Sequence, residues 1–341
     1  MPSYKRVIDL ESGTALVTTD LHGAGAVYDH LRARFLRLRE QGVVQRWIIC
    51  GDLIHASGPE EEDASLRMLI DVMKLQEELG RETVILLLGN HEMPHIYSVS
   101  LAKGNISFTP RFENALTQLD HQSLSYYRRH DVMAFLRRLP FYVRTKAGVT
   151  LSHAGAALPL AAANLVEVIL DFDHDALLKL ADDRMRAKYD MFALKTNTRY
   201  LAQAKTELAV DGPHDPRLPE LARSMVVTQT CDDFNLLWDV LFATNETSGT
   251  PLSGYQEIVR KALKQLSAFG PYEQRVIVAG HIGVEGGHKL VGLQQLRLAS
   301  YSHARPNEAG EVLLLDCATP IQDAEELVAH LRPTLDDAQT M

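Results

Sequence analysis

Five apolar runs in this chain each end in residues able to bind a cation. The first ends in Asp20-Leu21-His22-Gly23, the second in Gly51-Asp52, the third in Gly89-Asn90-His91-Glu92, the fourth in His153-Ala154-Gly155 and the fifth in Gly280-His281. Asp20 and His22 are two residues apart, so in an extended segment their side chains leave the same face and can hold one ion. Carboxylate, imidazole and amide oxygen together suit a borderline or hard divalent ion such as Mn²⁺, Fe²⁺ or Zn²⁺. Glycines beside these residues let the backbone turn sharply and approach closely. A single Asp or His after a strand is usually a cap or a solvated group. Five such endings on one chain describe a site.

The elements that must position them are legible from hydrophobic pattern. Runs at 15–19, 46–50, 83–88, 148–152, 275–279 and 312–315 are rich in Val, Ile and Leu with little alternation, which predicts strands of a sheet covered on both faces. Between them, Val27, Leu31, Phe35 and Leu38 repeat at helical spacing, as do Leu66, Leu69, Ile70 and Met73 after the Gly58-Pro59 breaker. Strand alternating with helix predicts a layered α/β core, and sites in such sheets form beyond the carboxyl ends of the strands. The stretch 156–230 differs: rich in Ala, Leu, Asp and Arg, it reads as helices over 160–171 and 176–200, then breaks at 211–216. It is expected to be a helical insertion within a single domain spanning 1–335, either packed on the core or capping the site.

Charge and composition exclude several classes. Lys and Arg number 35 against 44 Asp and Glu, a net charge of −9, so no overall field holds nucleic acid or an anionic membrane. With 46% hydrophobic and 23% charged residues the chain falls outside the disordered class. No apolar run reaches the roughly 20 residues of a membrane span, and the first residues lack the apolar stretch of a signal peptide, so a cytoplasmic location is expected. Cys50, Cys231 and Cys317 are far apart and show no CxxC spacing, which argues against a disulfide framework or zinc cluster and for small buried hydrophobes.

The series DLHG, GD, GNHE, His-Ala-Gly and Gly-His, in this order, resembles the calcineurin-like metallophosphoesterases, and more closely their phosphoprotein phosphatase branch. FLRRLPFYV at 135–143 is similar to that branch's Leu-Pro segment, Leu236-Leu237-Trp238-Asp239 to its Leu-Leu-Trp element, and SHARPNEAG at 302–310 to its late loop. Gly283 stands where nuclease-type relatives carry a second His. The resemblance covers roughly 14–318 apart from the helical stretch. It implies a β-sandwich core flanked by helices, and two divalent ions, Mn²⁺ foremost, with Fe or Zn as substitutes. Asp20 and His22 would hold the first ion, Asp52 would bridge both, and Asn90, His153 and His281 would hold the second. A metal-bridging hydroxide would attack phosphorus in line, and His91 would protonate the leaving oxygen.

The resemblance breaks in one place. The branch continues its second motif as GD-x-x-DRG, where the later Asp orients the general-acid His and the Arg grips phosphate. Here His55 replaces the Asp and Ala56 the Arg, and 239–257 contains neither Arg nor Lys. Arg forms a bidentate fork with phosphate that Ala cannot replace. Candidate replacements are Lys103, Arg111, Arg305, Arg184, Arg186 and Arg199, with His55 touching substrate or orienting His91. His95, His121, His130, His174, His214, His288 and His303 share no ligand-like spacing and are expected on the surface or as satisfied core residues. The expected function is dinuclear hydrolysis of phosphomonoesters, foremost as a protein serine/threonine phosphatase-like enzyme acting on a phosphorylated protein. Hydrolysis of small phosphoesters such as dinucleoside polyphosphates or nucleotides comes second, and a non-catalytic module binding phospho-ligands third. The acidic charge and Gly283 oppose a nuclease.

Overall fold

The apolar runs become strands of two sheets that share one core. In the computed structural model, which describes residues 4–122, 126–242 and 252–335, a five-stranded sheet runs Leu331–Pro333, Glu311–Asp316, Thr14–Thr18, Arg46–Ile49, Val84–Leu86, and a six-stranded sheet runs Val7–Leu10, Tyr142–Thr145, Val149–Ser152, Val276–Ala279, Gln295–Leu298, His288–Leu290. Ala15, Val17, Ile48 and Ile85 of the first sheet meet Val143, Leu151, Val278 and Leu298 of the second in a buried cluster between them. Their neighbours Leu16, Trp47, Ile49, Val84 and Leu86 point the other way, into a second core filled by helices. Both faces of these first-sheet strands are therefore apolar, which is why the sequence shows continuous runs there rather than alternation.

The helices supply the outer layers. Gly25–Glu40 buries Val27, Tyr28, Leu31, Phe35 and Leu38, with Tyr28 and Phe35 packed 5.4 and 5.8 Å from the Trp47 ring. Ser65–Leu79 buries Met68, Leu69, Val72, Met73 and Leu75, so Leu66 and Ile70 lie at the edge of its apolar face rather than at its centre. No helix among the described residues is long and apolar enough to cross a membrane.

The stretch 156–230 contains the helices Ala163–Leu170, His174–Lys188, Met191–Thr196, Thr198–Leu208 and Leu218–Thr230. Asp173, Asp190 and Asn197 cap three of them, each accepting from backbone N–H groups of the first turn. Helical structure continues past 230 through Asp232–Phe242 and Leu252–Ala268, because the Leu-Leu-Trp element is itself helical. This layer packs on Met93–Tyr97: Phe234 stacks edge-on to Tyr97 at 5.1 Å, and Ser98 donates to Glu220 at 2.9 Å.

Thr14–Thr18, Arg46–Ile49 and Val84–Leu86 run parallel, as do Val149–Ser152 and Val276–Ala279. Their carboxyl ends lie together. The His153 Nδ1–H donates to the Cys50 carbonyl at 3.0 Å and the His281 backbone N–H to the Asp20 carboxylate at 3.0 Å, so the exits of both sheets are laced to one another.

Candidate metal centre

Backbone conformation marks the site before any side chain is considered. Among the described residues seven non-glycine positions have positive φ, and five of them are Asp20 (49°), His22 (44°), Asp52 (51°), His55 (75°) and His281 (69°). This left-handed region disfavours residues with a Cβ, so the surroundings must hold it. The Glu92 carboxylate does so for one loop: it accepts from the backbone N–H groups of Asp52 (3.0 Å), Leu53 (2.8 Å) and Gly89 (3.0 Å). Gly280 is required for a different reason, since a Cβ there would land on the Asp20 carboxylate.

Asp52 is almost fully buried, and its two oxygens face two groups of ligands. Oδ1 lies 3.6 Å from His153 Nε2, while Oδ2 lies 3.5 Å from His22 Nε2 and 4.0 Å from His91 Nε2. Three sets of side chains bring ligand atoms within 4.8 Å of one another: Asp20, His22 and His303; His22, Asp52 and His91; and Asp52, His153 and His281. Asn90 joins the last, its Oδ1 2.7 Å from His153 Nε2.

The donor set fits cations on three grounds. His22 Nε2, Asp52 Oδ2 and His303 Nδ1 are buried without a hydrogen-bond partner, which native interiors avoid. The His153 Nδ1–H donates to the Cys50 carbonyl at 3.0 Å, which leaves Nε2 with a lone pair facing the Asn90 oxygen; a cation reconciles two acceptors turned on one point. Likewise the His281 Nε2–H donates to the Phe242 carbonyl at 2.9 Å, leaving Nδ1 free to ligate. Burial first, offset in part by Asp20, lowers His22 and His153 to about 4. Burial and the neighbouring His153 lower His281 to about 3, so all three are neutral imidazoles, the ligating form. Burial, then the charges of Glu92 and Asp20, push the Asp52 carboxyl well up, a repulsion that bound cations would relieve.

The model of the calcineurin-like phosphoesterase family matches residues 13–185, just over half of the 341-residue chain. The chain belongs to the calcineurin-like phosphoesterase family. Similar solved structures include a cold-active protein tyrosine phosphatase, with 16% identity and a TM-score of 0.48 over 92% of this chain and 76% of that one. A cold-active protein-tyrosine phosphatase of a psychrophile Shewanella species has 15% identity and a TM-score of 0.47 over 93% and 78%. A protein serine/threonine phosphatase from Saccharomyces cerevisiae with similarity to human phosphatase PP5 has 13% identity and a TM-score of 0.43 over 91% and 76%. No curated protein matches the chain.

In this phosphoesterase a cleft of about 660 Å³ opens beside the ligands, lined among others by His22, His91, Lys103, Tyr301, His303 and Arg305. None of its described lining residues comes from 156–230. Arg305 lines the cleft, held there by hydrogen bonds from Nη1 to the Ser302 and Ala304 carbonyls, both 2.8 Å. Arg111 does not line it: its guanidinium donates to the Ala56 and Gly58 carbonyls at 3.2 and 3.0 Å and braces that loop. His55 also departs from its expected place at the substrate. It is 1% exposed, stacked on Phe108, with both ring nitrogens engaged by other histidines, so no atom is left for a substrate. Within the stretch 239–257, where the branch carries a second arginine, residues 243–251 lie outside the described residues.

Two residues set aside as surface or core belong here. His303 comes from the late loop to stand 3.2 Å from Asp20 Oδ1, beside the residues expected to hold the first ion. His95 lies behind His55, with Glu113 behind it. His91 Nδ1 is 3.0 Å from His55 Nδ1, His55 Nε2 is 2.8 Å from His95 Nε2, and His95 Nδ1 is 3.0 Å from Glu113 Oε1. The other Glu113 oxygen accepts from Arg129 and, at 3.4 Å, from Arg217. For His303 the signal was its place in the loop at 302–310; for Glu113, on the helix Phe108–His121, no local pattern pointed to it.

Proposed function

We propose that this protein hydrolyses phosphomonoesters at a two-metal centre, with a phosphorylated protein of the phosphoserine or phosphothreonine class as substrate. The reading is carried by Asp52, whose two oxygens face separate ligand sets. Asp20, His22 and Asp52 would hold one ion, with His303 beside them, and Asp52, Asn90, His153 and His281 the other; Mn²⁺ suits this mixture of carboxylate, amide and imidazole, with Fe or Zn as substitutes. Divalent ions in these places supply positive charge to a phosphoryl group and make water a competent nucleophile at neutral pH.

The chain's own residues supply the rest. His91 sits at the cleft wall with Nε2 toward Asp52, placed to hand a proton to a leaving alkoxide. Among the described residues, Arg305 and Lys103 are the Lys and Arg lining the cleft, and they take over phosphate orientation where the branch uses the arginine that Ala56 replaces. Glu92 holds the Asp52 loop against Gly89, which fixes the bridging carboxylate relative to Asn90. The small number of cations at the cleft favours a second reading, in which the substrate is a small phosphoester such as a dinucleoside polyphosphate.

The test strips the metals, restores Mn²⁺, and assays a phosphopeptide, an aryl phosphate, a bis-aryl phosphate and a dinucleoside tetraphosphate. Turnover of the phosphopeptide and aryl phosphate is expected. Activity on the diester alone refutes the monoesterase reading. No turnover with two metals bound per chain makes the protein a binding module.

A further inference from the structure

We propose that Glu113, acting through His95 and His55 as positioning residues, sets the tautomer and orientation of His91 so that Nε2 faces the reacting phosphate. The proposal rests on the reading of His91 as proton donor, and deepens it by naming what replaces the acidic residue missing at His55.

A carboxylate only accepts hydrogen bonds. Burial would raise the Glu113 carboxyl, but the hydrogen bond from His95 and the charge of Arg129 outweigh it and hold it below the usual carboxylate range. Glu113 is therefore ionised, and His95 must carry its proton on Nδ1. With its Nδ1–H given to Glu113, His95 offers Nε2 as an acceptor, and the 2.8 Å contact then has His55 donate from Nε2. His55 in turn accepts at Nδ1, and the 3.0 Å contact requires that His91 donate from Nδ1. Three tautomers follow from one anion. His91 is left with Nε2 as the nitrogen that gains and gives a proton, and that is the nitrogen facing Asp52 and the cleft.

The chain is built rather than incidental. His55, His95 and Glu113 are 1%, 1% and 3% exposed, so they are shielded from bulk solvent, and buried hydrogen bonds in series polarise one another. Phe108 lies parallel to the His55 ring at 5.0 Å and Phe112 at 4.5 Å from His95, which restricts both rings from turning. Arg217 brings the helical layer into the same network, through Glu113 at 3.4 Å and Asp215 at 2.8 Å.

Glu113→Gln gives a directional test. With Arg129 and Arg217 donating to it, the amide turns its oxygen toward them and its NH₂ toward His95. Every donor and acceptor along the chain then reverses, and His55 presents an N–H to His91 Nδ1, against the doubly protonated form of His91 that a proton donor needs. On a phosphoserine peptide, whose leaving alkoxide needs a proton, kcat should fall about a hundredfold. On dinitrophenyl phosphate, whose leaving group needs none, it should fall less than about threefold, with KM and bound Mn²⁺ unchanged. His55→Ala, which cuts the chain in the middle, should show the same selectivity. Equal losses on both esters, or no loss on either, overturn the proposal. Should the wild type hydrolyse neither ester, the phosphatase reading fails and the relay is still decided by ¹⁵N NMR of the histidine rings in the full chain. A proton on His91 Nδ1 in the wild type is expected, moving to Nε2 in Glu113→Gln; the Nε2–H tautomer in the wild type overturns it.

Discussion

On the side of His91 that faces the cleft, imidazoles and carboxylates stand close together with hydrogen-bonding capacity unspent: His22 Nε2 and Asp52 Oδ2 have no hydrogen-bond partner. On the opposite side the same two residue types stand just as close and are fully engaged, each nitrogen of His55 and His95 meeting a neighbour. Chemical identity is therefore not what separates a cation site from a scaffold; the balance of donors and acceptors is. Where lone pairs converge without protons between them, a positive ion completes the set. Where each lone pair meets an N–H, the cluster is complete and can only orient.

The contrast is most strongly broken at Asp52, which belongs wholly to the cleft side. Asp52→Asn should lower metal content from two ions per chain toward none and reduce turnover by about a thousandfold, the equivalent of several kcal/mol of lost charge stabilisation, while leaving the His91 tautomer as it was. Elemental analysis beside an aryl phosphate assay checks both; two retained ions would mean that Asp52 is no bridge. Gly280→Ala keeps every ligand yet drives a Cβ into the Asp20 carboxylate, and displacement of this order costs about a hundredfold in rate. Wild-type turnover in that variant would show Asp20 to be dispensable. Arg305→Ala removes one charge-assisted contact at the cleft and should raise KM for a phosphopeptide about tenfold with little change in kcat; an unchanged KM would take Arg305 out of substrate binding.

The smallest effect sharpens the comparison through pH. In metal-free protein, burial lowers His153 from 6.5 to about 4, so the unfolded chain takes up a proton that the folded one refuses, and stability falls as pH drops from 6.5 toward 4. Glu113 is also lowered, from 4.5, so the stability it contributes is present above 4.5 and is lost only at lower pH. Acid thus erodes the two sides in different windows. Chemical denaturation of chelated protein should show His153→Asn abolishing part of the loss above 4.5 and Glu113→Gln part of the loss below it; the same window for both would contradict these assignments.

What was legible in the sequence divides along the same line. Asp20, His22, Asp52, Asn90, His153 and His281 each stand within a few residues of a strand's carboxyl end, so a local pattern plus one rule about α/β sheets brings them together. The chain behind His91 has no such signature. His95 sits on Met93–Tyr97 and Glu113 on Phe108–His121, and they meet because two helices pack, not because of spacing. His303 reaches Asp20 across 283 positions of sequence, on a loop whose course only the fold determines. The centre of a helix face is set the same way: Leu66 and Ile70 have the period of a buried face, but the packing of Ser65–Leu79 turns it toward Met68 and Val72.

The five site residues held at positive φ also bear on how far this protein could be improved as a material. Left-handed backbone at a residue with a Cβ costs on the order of 1 kcal/mol or more each, so together they forgo about 5 kcal/mol, a sizeable share of the 5–15 kcal/mol typical of a folded domain. Glycine at any of them would relax the backbone, and Asp52→Gly would in addition remove a buried repulsion. A screen that selects for heat resistance alone is therefore expected to enrich substitutions at the very positions that define the site, and to return molecules that melt later and do nothing.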